Sequence, residues 1–380
     1  MTTIDQSQRV AALSMPGMSH QAVPRTTGST LYSEILDKIK HEGLLAKNPA
    51  FYIKRFVIIS LAAAVLWALV VTIAATGTSW AIALPPVVLL GIAAAQYGFI
   101  AHETSHRQVF LSNKRNDFYG KIAANLFAGL SYGFWTRKHN QHHRAPNQIH
   151  KDPDIHIRVL AFRTEDMEAK PVPERFITKN QGWLFPILLT LTGFDLLLDS
   201  FAAIFSKGKN GKPLKGRFGE FAMMVVRQGV PIALLMVLFG PIFGGILWLA
   251  FMLSFGLFMG GAFAPNHKGM PLIPEDAKIS FFERQVLTSR NVRPSWLKDN
   301  LLGGLNYQIE HHLFPSMPRP SLARAREIVM EFCKEKNIPY TEKGLFESYA
   351  LVINYLNKVG LSSNTDPFVC PMVAQLRPRN

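Results

Sequence analysis

The sequence predicts an all-α integral membrane protein: four transmembrane helices arranged as two hairpins, with a cytosolic helical cap that carries most of its histidines. Three observations predict it. Hydrophobic residues make up 48% of the 380 residues, yet they are concentrated in blocks with the charges between them. No Asp, Glu, Lys or Arg occurs from Phe56 to Ala101, or from Gln228 to His267. All 41 Lys and Arg lie outside these two stretches, and the turns inside them, TGTS and GP, carry none. Because Lys and Arg stay on the cytoplasmic side, the N-terminus, the long middle segment and the C-terminal part are all assigned to the cytosol.

Residues 1–30 are polar and Ser/Thr-rich, show no cleavable signal peptide, and are expected to be a disordered tail. In residues 31–54 the stretch LYSEILDKIKHEGLLAK has the pattern of an amphipathic helix, at the membrane surface or docked as an ordinary surface helix. Residues 55–101 form the first hairpin. At about 1.5 Å per residue, the roughly 20 residues from Phe56 to Ala75 reach across ~30 Å of hydrocarbon, and Ala81 to Ala101 is long enough too. Residues 102–219 are read as a cytosolic segment with two apolar runs. Ile122 to Thr136 is too short to span. Trp183 to Phe205 is long enough, but Asp195 and Asp199 interrupt it and basic residues flank both ends, so one crossing would strand a basic flank outside. Both runs are expected in the cytosolic interface or as re-entrant segments. Residues 220–263 form the second hairpin, with spans Phe221 to Phe239 and Ile242 to Phe263; Arg227 must snorkel or find a partner. Residues 264–360 are a second cytosolic segment, and 361–380 a tail.

The net charge of +15 follows from this positive-inside bias and suits attraction to anionic headgroups. No nucleic-acid motif accompanies it, so no nucleic-acid partner is expected. Cys333 and Cys370 are the only cysteines. That excludes a disulfide framework and a cysteine-based metal site, and it fits a reducing compartment.

Eight of the 12 histidines fall into four groups at the cytosolic ends of the expected spans. HETSH supplies His102 and His106, an i, i+4 pair on one helical face. HNQHH supplies His139, His142 and His143. PNHKG puts His267 just past the fourth span, and NYQIEHH supplies His311 and His312, preceded by Asn306 and Gln308. Two crossings separate the second group from the third and none separate the others, so all four sit on one side of the membrane and can converge. HETSH alone has the spacing of a zinc metalloprotease with Glu103 as base. Eight imidazoles, however, are too many for one zinc, which takes three or four ligands, and about right for two metals that keep positions free. Without thiolates, blue copper and Fe–S sites are excluded. Imidazoles at the mouth of an apolar bundle that handles a lipid point to iron and O2.

HETSH, HNQHH and QIEHH, in this order, resemble the three histidine boxes of the membrane fatty acid desaturases. GGLNYQIEHHLFPSMPR, with DPDI and TSRNV, is similar to the front-end and acyl-CoA branch, and the likeness covers about residues 30 to 360. The resemblance implies two Fe ions held by His102, His106, His139, His142, His143, His267, His311 and His312, with Gln308 where many relatives have another histidine, as extra ligand or behind the ligands. Asn306 either orients a metal-bound water or packs. His150, His156, His20 and His41 match no ligand position. The reaction implied is O2-dependent removal of two hydrogens from adjacent methylenes, giving a cis double bond in a long acyl-CoA or acyl-lipid chain. An apolar tunnel is expected to hold that chain, with Trp135 and Tyr132 at its entrance, whereas Gly256 and Gly260 are read as packing positions. Each turnover needs an external electron donor, a ferredoxin or cytochrome b-type protein with an NAD(P)H reductase, because the His-Pro-Gly-Gly signature of a fused haem domain does not occur. Three alternatives remain: a di-iron lipid hydroxylase of the same superfamily, an intramembrane zinc protease on HETSH, and a non-enzymatic lipid or metal carrier.

Overall fold

The structure, a computed structural model, describes residues 28–157, 159–207 and 211–361. His20, Cys370 and the expected tails lie wholly or almost wholly outside these residues. The chain is an all-α membrane protein; among the described residues the only sheet is a two-residue parallel pairing, β1 (Asn291–Val292) with β2 (Glu342–Lys343).

The helix α1 (Gly28–His41) buries Leu31, Ile35 and Ile39, one face at i, i+4 spacing. These three side chains share a buried cluster with Phe282, Val286 and Leu322. The helix ends before Gly43, whose φ of 69° no helix continues through, and α2 (Pro49–Ala75) starts afresh. Asn48 caps α2 by accepting from the Phe51 N–H at 3.1 Å, and Pro49 sits at the first turn, where its missing N–H costs nothing. The expected 31–54 stretch is therefore divided between two helices, the second of which runs on from Pro49 into the first apolar stretch. A 3₁₀ turn, Trp80–Ala83, leads into α3 (Leu84–Ser105), which carries His102 in its last turn and is followed by His106 at its C-cap.

After α4 (Asn113–Lys121), residues Ile122–Ala128 form a π-helical segment that stops at Gly129, at φ 83°. The helix α5 (Tyr132–Arg144) carries the second histidine group. Short helices α6 (Thr164–Glu168) and α7 (Val172–Lys179) precede α8 (Gln181–Phe205). Next comes α9 (Arg217–His267), two helical arms joined at Gly240, whose φ of 80° and ψ of 163° are not helical. In a straight helix Gly244 would lie roughly 13 Å from Leu235. Here a Cβ on Gly244 would stand 2.5 Å from the Leu235 carbonyl oxygen, so the arms fold back as a hairpin whose closest approach only glycine permits.

The chain closes with α10 (Phe281–Leu287), α11 (Trp296–Leu301), α12 (Gln308–Leu313), α13 (Leu322–Glu335) and α14 (Leu345–Leu361). Four stretches have the length and composition to cross a membrane: Pro49–Ala75, Trp80–Ser105, Gln181–Phe205 and Arg217–His267, the last holding both arms of its hairpin. Leu61, Val65, Ile187 and Val237 are among the large apolar side chains they leave exposed, as lipid-facing helices do. The ends of α8 are bound elsewhere. Gln181 Nε2 donates to the Leu356 carbonyl of α14 at 3.0 Å, Ser200 Oγ accepts from the Ser131 N–H at 3.1 Å, and Arg217 donates to the Ile204 carbonyl at 3.3 Å. Midway, α8 crosses the second arm of α9 at Gly193 and Gly256, where a Cβ on Gly256 would collide with the Thr190 carbonyl. Gly256 is thus a packing glycine.

Candidate metal centre

The histidines are aimed by caps and buried anchors. Ser131 caps α5, accepting from the Phe134 N–H at 3.1 Å while donating to Glu220 Oε2 at 2.6 Å, which ties the second group to the start of α9. Arg290, fully buried, donates from Nε to the Pro265 carbonyl at 2.8 Å and from Nη2 to the Lys268 carbonyl at 3.1 Å. It caps the C-terminus of α9, where His267 sits. Asn291 accepts from the Ile309 N–H at 2.9 Å and donates to Glu310 Oε2 at 2.7 Å, fixing α12 just ahead of its two histidines. Burial pushes the Glu310 carboxyl up to about 7.

All eight histidines meet, and they sort into two groups. In the first, one ring nitrogen from each of His102, His106, His139, His143 and His311 lies within 4.8 Å of the others; His142, His267 and His312 form the second. Neighbours on a helix point about 100° apart, so His142 and His143 turn to different groups, as do His311 and His312. Nε2 of His139 is 2.8 Å from Nε2 of His102 and 3.0 Å from that of His143; Nε2 of His267 is 3.3 Å from that of His142 and 3.1 Å from that of His312. Two ligand nitrogens about 2.0–2.1 Å from a shared ion sit at such separations. His106 and His311 each keep a buried Nε2 without a protein partner.

Burial, followed by the charge of neighbouring rings, holds His139, His143, His311 and His312 well below the ordinary histidine value, and burial takes His106 to about 3. These rings are neutral, the form that ligates. Burial, the largest influence, works the same way on His142, but the carboxylates of Asp152 and Asp154 together outweigh it and leave His142 above the usual value. His142 Nδ1–H donates to Asp152 at 2.9 and 3.0 Å, and Asp152, fully buried, also accepts from the backbone N–H of Asn147 and of Asp154. His267 Nδ1 and His312 Nδ1 donate to the Thr288 carbonyl at 3.0 Å and to Gln285 Oε1 at 2.9 Å. Such partners fix the tautomer and leave Nε2 free to bind a metal. The donor set, neutral nitrogens with anchored outer edges, fits a metal site.

Sequence reasoning missed Asp152, Gln285 and Thr288; Asp152 opens DPDI and Thr288 opens TSRNV, so two of the three stood in stretches that carry the resemblance, while Gln285 stood in none. It also missed the partner of Glu103, a carboxylate 2% exposed, which takes two hydrogen bonds from Arg319, at 2.5 and 2.6 Å. Gln308 Nε2 lies 2.8 Å from His267 Nε2, while its Oε1 accepts from Asn266 Nδ2 at 3.1 Å. Asn306 donates to Asp299 Oδ1 at 2.7 Å. His150 and His156 stack on each other, exposed and outside both groups, and His41 is exposed.

A cavity of about 390 Å³ reaches His142 and His267 from between α8 and the second arm of α9. Phe185, Leu189, Leu196 and Met259 line it, Gly260 and Trp135 border it, and Lys138, Asp154, Asp195 and Lys268 are its charged residues. Tyr132 does not line it. Trp135 stacks on His139, ring centroids 5.0 Å apart, and none of the five histidines of the first group touches the cavity.

A sequence model of the fatty acid desaturase family matches residues 78–344, a stretch that contains all eight clustered histidines. The Delta(6)-fatty-acid desaturase of Caenorhabditis elegans is 33% identical over 280 residues, 71% of this chain and 63% of that protein. The Delta(5) fatty acid desaturase of the same organism is 26% identical over 337 residues, 86% of this chain and 73% of the relative. The Delta(8)-fatty-acid desaturase of Euglena gracilis is 29% identical over 283 residues, 71% of this chain and 66% of that one. The chain thus spans under two thirds of the first relative's length. Matched over well more than half its residues, and with its imidazoles gathered where that match lies, the chain belongs to the fatty acid desaturase family.

Proposed function

We propose that the chain is a fatty acid desaturase, introducing a cis double bond into a long acyl chain with O2 as co-substrate. His102, His106, His139, His143 and His311 would hold one Fe ion, and His142, His267 and His312 the other. The observation that carries this reading is a pair of buried imidazole clusters, one of which opens on an apolar cavity. Such a cavity is of ligand-binding size. When bound, the ions supply the oxygen activation that an unactivated C–H bond requires.

The residues of the chain position and exclude. Phe185, Leu189, Leu196 and Met259 hold the acyl chain against the three-histidine group. Lys138 and Lys268, at the charged part of the cavity wall, suit the polar end of an acyl-CoA or acyl-lipid. Gln308 is assigned as a donor beside the site rather than a ligand. Asn266 Nδ2 is directed at the Ala262 and Leu305 carbonyls as well as at Gln308 Oε1, which turns the Gln308 oxygen away from the histidines and its NH2 toward them. Glu103 is assigned to structure. A protease base must be free to take a proton, and this carboxylate is engaged on both oxygens by Arg319.

The meeting of the second and third histidine groups requires an even number of crossings between His143 and His267. The two arms of α9 supply two, so α8, apolar and long as it is, is placed along the cytosolic interface, in line with the bonds at both its ends. The Lys and Arg distribution puts the histidines on the cytosolic side. There the basic face suits an acidic ferredoxin or a cytochrome b-type donor with its NAD(P)H reductase. The test is expression, with such a reductant, in a host of simple lipid profile, and mass spectrometry of the fatty acids. A new double bond at a defined carbon supports the reading, a hydroxylated acid replaces it with the hydroxylase, and an unchanged profile contradicts both.

A further inference from the structure

A second cavity, of about 360 Å³, lies apart from the histidines, between α2, α3, the π-helical segment and the two arms of α9. Trp67, Leu90, Phe127, Val230 and Phe251 make its walls apolar. Three polar groups break them: a hydroxyl pair, Ser60 Oγ 2.8 Å from the Tyr97 hydroxyl, and Arg227. Arg227 is only 7% exposed. Its Nε donates to the Phe127 carbonyl at 2.7 Å and its guanidinium lies 4.6 Å from the centre of the Phe251 ring, which together hold the head in place instead of letting it snorkel to water. Nη1 and Nη2 are buried with no hydrogen-bond partner, and no Asp or Glu among the described residues compensates the charge of this side chain. A guanidinium does not escape burial by losing its proton. An unpaired cation among lipid-facing helices is costly and calls for an anion.

With Nε engaged, Nη1 and Nη2 are the two parallel N–H donors left for a phosphate or carboxylate, which reaches them by displacing the side chains that cover them. Arg227 lies six residues into the apolar run that starts at Phe221, about 9 Å along the helix, within reach of a headgroup drawn toward it. Ala64, Val226 and Val230 on the cavity's edge are exposed, so it opens sideways to the bilayer, where phospholipid is the abundant amphiphile. We propose that this groove binds an anionic phospholipid, its phosphate on Nη1 and Nη2 of Arg227 and one acyl chain along Trp67 and Leu90. The site is separate from the metal centre and does not depend on the activity proposed above.

Trp67 reports on the groove. The full chain is reconstituted in phosphatidylcholine vesicles containing rising fractions of dibrominated phosphatidylglycerol, dibrominated phosphatidylcholine or dibrominated stearic acid. The Trp67 signal is taken as the difference between wild type and Trp67→Phe. Brominated phosphatidylglycerol is expected to quench it at about a fivefold lower mole fraction than brominated phosphatidylcholine, the size of one charge at a membrane surface. Arg227→Gln should erase that preference, and Ala64→Phe, which fills the groove from an exposed position and leaves the guanidinium intact, should weaken quenching by phosphatidylglycerol severalfold. Equal quenching by both phospholipids in the wild type, stronger quenching by stearic acid than by phosphatidylglycerol, or a preference that survives both substitutions would overturn the proposal.

Discussion

The two histidine groups are held in different ways. In the three-histidine group every outer nitrogen is bonded, to Asp152, to the Thr288 carbonyl or to Gln285, and two of its rings face the cavity. In the five-histidine group the outer Nδ1 atoms of His102 and His143 are buried without partners, and packing sets the rings: Trp135 stacks on His139, and His143 stacks on His312 at 4.1 Å between centroids. A site with few ligands needs each one oriented by a hydrogen bond. One with five can rely on crowding and on backbone placement. Only the first kind can leave room for a substrate, and it is the one that the cavity meets.

The hardest blow to that contrast is a ligand deletion on each side. His142→Ala removes one of three rings and is expected to lower metal content from about two ions per chain to about one, with turnover down on the order of 10³-fold or more, because the centre acts as a unit. His143→Ala leaves four rings in its group and should retain more metal, read by elemental analysis of the purified protein. Equal metal loss in both variants would remove the distinction.

Next in size is the Glu103–Arg319 pair that supports the five-histidine side. Glu103→Gln leaves a buried, unpaired guanidinium and should cost about 3–5 kcal/mol in thermal or denaturant unfolding. The double change Glu103→Met with Arg319→Met should recover most of that stability and keep turnover. Loss of turnover in a stable, metal-loaded double variant would make Glu103 a catalytic base after all.

Smaller effects are expected from the hydrogen-bonded partners on the other side. Asp152→Asn should weaken metal binding in the three-histidine group by about 10–100-fold, and Gln285→Leu by about tenfold, without altering the five-histidine group. Metal titration with a competing chelator reads both steps. A uniform weakening of both sites would show the two groups to be one coupled centre.

The gentlest probe is pH on the metal-free chain. The folded value of His106 is depressed, so the stability that this ring contributes is complete above about 6.5, its ordinary value, and is lost as pH falls toward about 3. His142 has the opposite sign: its value is raised by Asp152 and Asp154, so its contribution is present below about 6.5 and is lost as pH rises through the folded value. Hydrogen exchange should therefore show residues 102–106 losing protection in acid before residues 142–152 do. The reverse order would contradict the assignment of Asp152.

The sequence makes some of this legible and hides the rest. The hairpins are legible because hydrocarbon demands some 20 apolar residues per crossing, whatever the tertiary structure. The convergence of the eight histidines follows from counting crossings. Their division between two groups is not legible: HNQHH gives no sign that His142 parts from His139 and His143 until the axial rotation of α5 is fixed against α3 and α12. Gln285 and Thr288 act through a helix and a carbonyl brought in from far along the chain, and Arg319 lies 216 residues from the carboxylate it holds. The run from Trp183 to Phe205 shows its acids in the sequence but not the cavity that one of them, Asp195, faces together with Lys138. Gly260 reads as a packing position and is also a cavity wall, since a single glycine can serve both surfaces.

Two separate metal positions underlie all of these expectations, and anomalous scattering at the iron edge from the iron-loaded protein decides whether they exist. The expected map has two peaks, one among the nitrogens of His102, His106, His139, His143 and His311 and one among those of His142, His267 and His312. A single peak, or a peak at Asp152 and Asp154 beside His142, would contradict it.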